Sequence, residues 1–453
     1  MAACAASENG AATMLLEKMP RPGRKLMITG KGRCNFTNLK PWEAFSGHIR
    51  SNPRFVRPAF YNFTPEDAIA FIERQGVPVD VERGDRAFPH SYRATDIIDA
   101  LVRAARTSGV DIRTGEEVTA IVPDPSGEGF LISCRDNRTF SCLRLIIATG
   151  GLSYPRTGST GDGYRWAEAA GHSITPLFPS LTALVPKGYK TDKLSTGKLA
   201  AKVLGGGIAE GAEAESSLPK DYPGAKGWID RAMPLSELGS SLCGVHLRNV
   251  SLTLYNGKDR IGGEFGEMDF TDGGIEGPVA FSLSRDAVKA ITNGGKVSLL
   301  LDLKPEVSED ELLARLKSLW TGIASDSRSR GQNARTLARV MLGKVMPREL
   351  VAPFSAMNPS IVAGGRLDLQ RLARALKEWT FEIEGFVGYE RCVVTAGGID
   401  TSEVLPKTME SRLCKGMYFC GEVLDIDSDT GGYNIQTALS TGRLAGESAA
   451  RSL

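Results

Sequence analysis

The chain has 453 residues, too many for one small core, so two or three domains are expected. Its 42% hydrophobic and 24% charged content is ordinary for a globular protein, and 55 basic against 53 acidic residues give no nucleic-acid signature. Eight scattered cysteines form no C-x-x-C pair, which argues against a disulfide framework or a zinc site and for a reducing compartment such as the cytoplasm. No apolar run is long enough to span a bilayer, and the N-terminus lacks the pattern of a secretory signal.

Ala2–Asn9 is Ala-rich and predicts a helix stopped by Gly10. Ala11–Glu17 then reads as a buried strand ending in an acid. A helix followed by an acid-tipped strand is the second half of a dinucleotide-binding βαβ unit. There the acid holds a ribose hydroxyl about 20 residues after a Gly-rich turn. Counting back from Glu17, that turn and its strand fall just ahead of Met1. The sequence therefore reads as a shortened form whose first strand and Gly-rich loop are missing. A protein that lacks its pyrophosphate loop is the alternative. If the sequence is shortened, an organellar address stays open.

Met19–Asn38 crowds Arg21, Arg24, Lys25, Lys31 and Arg33 around Gly23, Gly30 and Gly32. It predicts a flexible basic loop, apt for a diphosphate. A solvated basic loop that binds nucleic acid is the bland reading; sparse aromatic interleaving argues against it. Cys34 reads as a packing residue or as a low-pKa thiol.

Helices are expected over Thr64–Gln75 and Ala94–Ser108, hairpin strands over Pro78–Ala87, and a short strand at Asp111–Thr114. Val118–Val122 and Phe130–Cys134 should pair. The apolar run Leu143–Ala148 enters Thr149, Gly150 and Gly151, and the carboxyl end of a buried parallel strand is where α/β sheets take ligands. Gly158–Gly163 leads into a helix over Tyr164–Ala170, as a cofactor-facing helix start or a plain turn.

From Thr182 the pattern becomes β-rich, with antiparallel strands over Val245–Tyr255 and Ile261–Phe270. Gly205–Gly227 contains a near match to G-x-G-x-x-G with Glu210 at the third glycine. It reads as a surface insertion, since no acid-tipped strand follows. Helices over Ser308–Leu319, Ala334–Leu342 and Leu367–Trp379 form a small helical module. The expected fold is α/β: a Rossmann-like domain at 1–181, interrupted by a β-rich domain at 182–303 and a helical module at 304–379, with residues 380–453 returning to both β-bearing domains.

The last stretch carries most of the chemistry. The apolar run Gly416–Cys420 reads as a buried strand ending in Gly421 and Glu422. Asp425, Asp427 and Asp429 follow, then a Gly431–Gly432 turn into a helix from Asn434. A helix N-terminus offers unpaired N–H groups and a positive dipole end. The stretch therefore reads as one wall of a flavin site. Asp427 and Asp429 read as a solvated acidic loop.

Several stretches together carry a resemblance. They are P-G-R-K-L-x-I-T-G-x-G-R-C-N within Leu16–Asn38, A-T-G-G-L-S-Y-P-x-T-G-S-T-G-D-G at Ala148–Gly163, I-x-G-P at Ile275–Pro278, V-T-A-G-G at Val394–Gly398, and G-E-V-L-D-I-D-x-D-T-G-G-Y-N within Phe419–Asn434. The chain resembles the family of flavoprotein oxidoreductases that includes bacterial aminoacetone oxidase and a bile-acid-pathway reductase. The resemblance implies a discontinuous FAD domain with an inserted β-rich domain and a small helical one. It implies that Glu17 holds the adenosine ribose, with Lys18, Arg24 and Lys25 near the adenosine and phosphates and Val118 meeting the adenine through its backbone. Thr29, Gly30, Gly32, Arg33, Cys34 and Asn35, with Gly431, Gly432, Tyr433 and Asn434, would flank the isoalloxazine. Thr149, Gly150 and Gly151 would close the diphosphate side, and Gly421, Glu422 and Asp425 would meet the ribityl and phosphate region.

The expected function is FAD-dependent oxidation or reduction of a small organic substrate, with no nucleic-acid or membrane partner, no metal, and no oligomeric state assigned. The flavin carries the chemistry, so no catalytic residue is fixed. His90, Tyr154 and Tyr433 are candidates for proton transfer, while His48, His172 and His246 read as ordinary. No second acid-tipped βαβ unit is present for a nicotinamide, which favours an oxidase or a reductase with another electron donor. A flavin-free remnant acting as a binding module, or an RNA-modifying flavoprotein, are the alternatives.

Overall fold

The computed structural model describes residues 1–125, 128–189, 194–195, 241–363 and 366–453, so the expectation for Gly205–Gly227 lies outside the described residues. The chain divides into two compact units. One comprises Met1–Ser180 with Tyr389–Leu453, the other Leu181–Gly388.

In the first unit the expected α/β elements form. The Ala-rich start gives the helix Ala2–Glu8, and Gly10 beyond it takes φ 89°, a left-handed conformation open to glycine. Met14–Glu17 pairs in parallel with Asp111–Thr114, and Leu145–Ile147 pairs in parallel with Met417–Phe419. The second pair joins stretches some 270 residues apart in sequence, a typical long-range parallel pairing. The helix Pro65–Arg74 starts at Thr64 in a reciprocal capping box with Asp67. Val79–Glu82 and Arg86–Pro89 form the expected hairpin, and Val118–Pro123, Phe130–Cys134 and Thr139–Cys142 a three-stranded meander.

The 21-residue helix Gly431–Arg451 is the axis of this unit. Its Gln436, fully buried, donates to the Phe63 carbonyl at 3.0 Å and accepts from the Thr37 hydroxyl at 2.6 Å. Ser440 also donates to the Phe63 carbonyl, at 2.7 Å. Further along, Gly442 and Gly446 face Ala2 and Ala5 on the first helix. Small residues on both sides let the two helix backbones approach closely, and a Cβ at Gly446 would meet the Ala2 carbonyl and stand 2.8 Å from the Ala5 methyl.

The second unit is built on a seven-stranded antiparallel sheet. Leu184–Pro186 pairs with both Gly274–Glu276 and Trp379–Val387, so six of the strands close into a ring. Closure leaves those six with no open edge. Alternation supplies the filling. Trp379, Phe381 and Ile383 are buried between exposed Thr380, Glu382 and Glu384, and Val297, Leu299 and Leu301 point inward likewise. Helices follow at Glu309–Ser325, Ala334–Val345, Arg348–Met357 and Leu369–Lys377.

Five expectations need correction. Ala11–Glu17 is not a buried strand: only Met14–Glu17 is extended, and its residues are half-buried or exposed. Met19–Asn38 is not a flexible loop: Arg24–Ile28 is helical, and Cys34 through Asn38 are buried, because Leu26, Phe36 and Cys34 anchor the segment in the core. Gly431 and Gly432 form the first turn of the terminal helix rather than a turn ahead of it. Asp427 and Asp429 are not solvated, as described below. The helices Pro53–Asn62 and Pro278–Thr292 were not anticipated, although each carries the signal of a proline in its first turn.

Replacing Gly446 with Val should overpack the contact between the first and last helices. The expected cost is roughly 2 kcal/mol, seen as a lower midpoint in urea unfolding followed by helical circular dichroism.

Candidate functional site

Most of the predicted residues fall at three places in the first unit. At the first, the Glu17 carboxylate accepts the Met19 N–H at 2.8 Å, and burial raises its pKa above the usual carboxylate range. Glu116 N–H bonds the Glu17 carbonyl at 3.0 Å, which brings the stretch leading to Val118 alongside. Lys18 binds the Asp162 carboxylate and the Thr160 hydroxyl, in the G-S-T-G-D-G stretch.

The second place centres on Glu422. One carboxylate oxygen accepts the Ser153 hydroxyl at 2.7 Å and the Thr395 N–H at 2.9 Å; the other takes the Lys25 ammonium. Thr395 Oγ1 in turn accepts the N–H groups of Leu152 (2.8 Å) and Ser153 (3.1 Å). Gly151 sits against this knot, where a Cβ would stand 2.5 Å from Thr395 Oγ1. Thr149 packs against Gly163, and Gly150 takes φ 71° beside Ser159. Gly421 donates to Thr441 Oγ1 at 3.0 Å on the terminal helix.

At the third place, the terminal helix starts against the Thr29–Asn35 segment. A Cβ at Gly432 would stand 2.6 Å from the Asn35 amide, and one at Gly431 3.3 Å from Thr29 Cγ2. Thr430 makes no side-chain capping bond, so the first N–H groups of this helix have no side-chain acceptor from their cap. Turned to satisfy its neighbours, the Asn35 amide donates to the carbonyls of Thr37 (2.8 Å) and Ala87 (3.2 Å). Gly30 and Gly32 adopt positive φ here, Cys34 is fully buried, and burial pushes its thiol up to about 12. Cys34 is therefore a packing residue and not a reactive thiolate.

Three expected residues serve the local structure. Asn434 uses both ends of its amide within the acidic turn, accepting from Ser428 N–H and donating to the carbonyls of Ser428 and Thr430. Asp425 receives Asn52 Nδ2 on its carbonyl at 2.9 Å. Arg33 lies over the Phe88 ring, 5.0 Å from its centroid, and Arg24 is exposed. Asp427 is fully buried and bonded by the hydroxyls of Ser51 (3.0 Å) and Ser180 (3.1 Å). Asp429 holds His48 Nδ1 at 2.9 Å and the Arg50 guanidinium. The acidic run is thus a buried, hydrogen-bonded turn.

An apolar cavity of about 270 Å³ lies beside these places, lined by Leu26, Phe36, Ala148, Cys420, Ile435 and Leu439 among others. Ala148 and Cys420 directly follow the parallel strands Leu145–Ile147 and Met417–Phe419, so the cavity opens at their carboxyl ends. None of the expected site residues lines it, but Lys25, Thr149, Gly421 and Asn434 are the sequence neighbours of residues that do.

The proton-transfer candidates fare differently. His90 is exposed and paired with Asp80. Tyr433 is buried, and burial raises its phenol. His172 lies between Ser411 Oγ (2.7 Å) and Glu403 (3.2 Å), in the order of a hydrolytic triad. Ser411 is buried, though, and its Oγ accepts the N–H groups of Leu413 and Cys414, so it caps a turn. Sequence reasoning missed Ser153, Thr160, Asp162 and Thr395, although all four lie within the motif stretches; their partners come from other parts of the chain.

A parallel-stranded α/β unit with its crevice at the strands' carboxyl ends and a bare helix start facing a glycine-bearing segment defines a Rossmann-type protein. The chain belongs to the HI0933-like family, whose Rossmann-domain description matches residues 1–448, and thus to a family of flavoprotein oxidoreductases. It is 29% identical over 448 residues to the 3-dehydro-bile acid delta(4,6)-reductase of Clostridium scindens, covering 99% of this chain and 95% of that protein. It is 29% identical over 437 residues to the ribosomal RNA dihydrouridine synthase of Escherichia coli, covering 96% and 91%. The solved 3-ketosteroid-delta4-(5alpha)-dehydrogenase of Rhodococcus jostii RHA1 aligns over 99% of this chain and 94% of its own, at 12% identity and a TM-score of 0.42. Among the described residues, no helix is long and apolar enough to cross a membrane.

Two outcomes are expected. Glu422→Ala should strand the Lys25 ammonium and the Thr395 N–H, costing about 2 kcal/mol or more in chemical denaturation. Burial, against the opposing pull of Glu403, lowers the folded pKa of His172. Its stabilising contribution is present above the unfolded imidazole value of about 6.5 and lost as pH falls through the folded value. Thermal melts from about pH 7 to pH 5 should therefore drop less for His172→Gln than for the native protein.

Proposed function

We propose that the chain is an FAD-dependent reductase that saturates a ring carbon–carbon double bond conjugated to a carbonyl in a small organic substrate. The uncapped start of the helix Gly431–Arg451, set by two glycines against Thr29 and Asn35, carries this reading. Its N–H groups and dipole suit the electron-rich edge of a reduced flavin ring. The glycines let the helix start close on Thr29 and Asn35, where a Cβ at Gly432 would clash.

The residues present fit the cofactor. Glu17 would hold the ribose, with the backbone at Val118 toward the adenine. The segments Thr149–Gly151 and Gly421–Glu422 would pass beside the diphosphate, and Thr29–Asn35 with Gly431–Tyr433 would frame the ring. Bound there, FAD supplies hydride transfer. Lys18 and Lys25 already face carboxylates, so their role is to lock the surrounding segments in place rather than to neutralise a phosphate. The names of the two curated relatives share hydrogenation of a ring double bond, which supports the reaction class.

A second reading places the reduced ring in RNA. It is favoured by exposed Arg54, Arg57 and Tyr61, spaced along one face of Pro53–Asn62, with the Arg57 guanidinium 5.7 Å from the Tyr61 ring centroid. Retention of an rRNA fragment that weakens steeply with salt would select it.

Purified protein should be yellow, or become so with added FAD, and dithionite-reduced protein should be reoxidised anaerobically by 2-cyclohexenone. Gly432→Val should weaken FAD binding at least about tenfold, some 1.4 kcal/mol, in a fluorescence titration. A protein that stays colourless with excess FAD would replace this reading with a flavin-free binding fold.

A further inference from the structure

We propose that His48 is the proton donor of this site, held for the task by Asp429 and Tyr433. The proposal rests on the flavin reading above. It follows from an arrangement that no sequence motif marks.

Three contacts fix the imidazole. Its Nδ1 lies 2.9 Å from Asp429 Oδ2. Its ring stacks on Tyr433, with centroids 4.2 Å apart and planes 17° from parallel. Its backbone carbonyl accepts the Asp429 N–H at 3.0 Å, and next to it the Ile49–Ser428 bridge and the Arg50 N–H to Asp427 carbonyl bond (2.7 Å) sew the two segments together. Asp429 is also held by Arg50, and Tyr433 is wedged edge-on against Phe45. The ladder fixes the His48 backbone, and swinging the ring would cost its bond to Asp429 and its stack on Tyr433.

The stack puts the ring beside the first turn of the terminal helix. Tyr433 belongs to the first turn of the terminal helix, one residue after Gly432 and its contact with Asn35. The His48 side chain is 35% exposed while its carboxylate partner is 13% exposed. With Nδ1 turned to Asp429, Nε2 is the nitrogen left to meet a ligand, and no described residue bonds it. A carboxylate on Nδ1 orients the ring and leaves Nε2 as the nitrogen it presents. Of the other histidines, His172 is buried, His90 is paired on an exposed hairpin, and His246 lies in the other unit.

The chemistry needs such a group. A bound reduced flavin would supply hydride to the ring carbon distal to the carbonyl, and the enolate so formed would need a proton. The Nε2–H bond of the imidazolium breaks as a C–H bond forms at the carbon beside the carbonyl. Imidazole is left neutral and takes a new proton from solvent. Asp429, which touches no reacting atom, is a positioning residue. The charged or titratable groups around the ring are Asp429, Arg50 behind it, the Tyr433 phenol and Asp85, which acts on that phenol.

The test compares native protein with His48→Gln and Asp429→Asn, each checked for an unchanged thermal midpoint and flavin content. Imidazole resonances, followed by NMR, should shift for His48 when FAD is added. Anaerobic reoxidation of the reduced protein by 2-cyclohexenone should slow about a hundredfold in His48→Gln and lose its decline toward high pH; Asp429→Asn should slow less and keep that decline at a shifted position. A His48 resonance unmoved by FAD, or a His48→Gln variant with native rate and pH profile, overturns the proposal and leaves the flavin reading standing. Failure of the native protein to bind FAD or to be reoxidised overturns both.

Discussion

One carboxylate ties this fold together. Glu422 takes a lysine from residue 25, a hydroxyl from residue 153 and a backbone N–H from residue 395, so three distant segments end on two oxygens. Each partner would be costly to bury alone. Together they satisfy one another, and the exit of the strand Met417–Phe419, the turn after Leu145–Ile147 and the helix Arg24–Ile28 are held in register. Gly151 matters because a Cβ there would stand against Thr395 and Glu422, and Gly421 lets its backbone close instead on Ala438 of the terminal helix.

The terminal helix extends that order. At its start, glycines leave its N–H groups uncapped beside Thr29 and Asn35. In its middle, Gln436 and Ser440 fasten it to the Phe63 carbonyl. Toward its end, Gly442 and Gly446 accept the Ala-rich first helix. The same helix thus has a start without a side-chain cap and a close-packed end against the core. The inserted unit solves a different problem: closing six strands into a ring removes open edges that would otherwise invite pairing with another chain.

The comparison of relatives explains why the fold is easier to state than the substrate. Proteins with dissimilar named substrates match this chain almost end to end. Where a cofactor carries the demanding chemistry, a family can keep the scaffold while changing what it presents to the substrate.

Wherever the chemistry was local, the sequence already determined the outcome. The 3.6-residue and two-residue periodicities marked the main helices and strands, Thr64 with Asp67 and Ser308 with Glu311 wrote capping boxes, and glycine-bearing motifs marked the segments that converge. Three matters were decided only by tertiary contacts. Asp427 and Asp429 look like solvent-facing acids until Ser51, Ser180, His48 and Arg50 arrive from elsewhere to bond them. Cys34 sits between a basic residue and an amide in the sequence, yet burial, not its neighbours, sets its thiol. His48 carries no motif at all; its partners lie 381 and 385 residues away. Propensity and periodicity act over a few residues, whereas burial and partner choice depend on which distant segments the folded chain brings together.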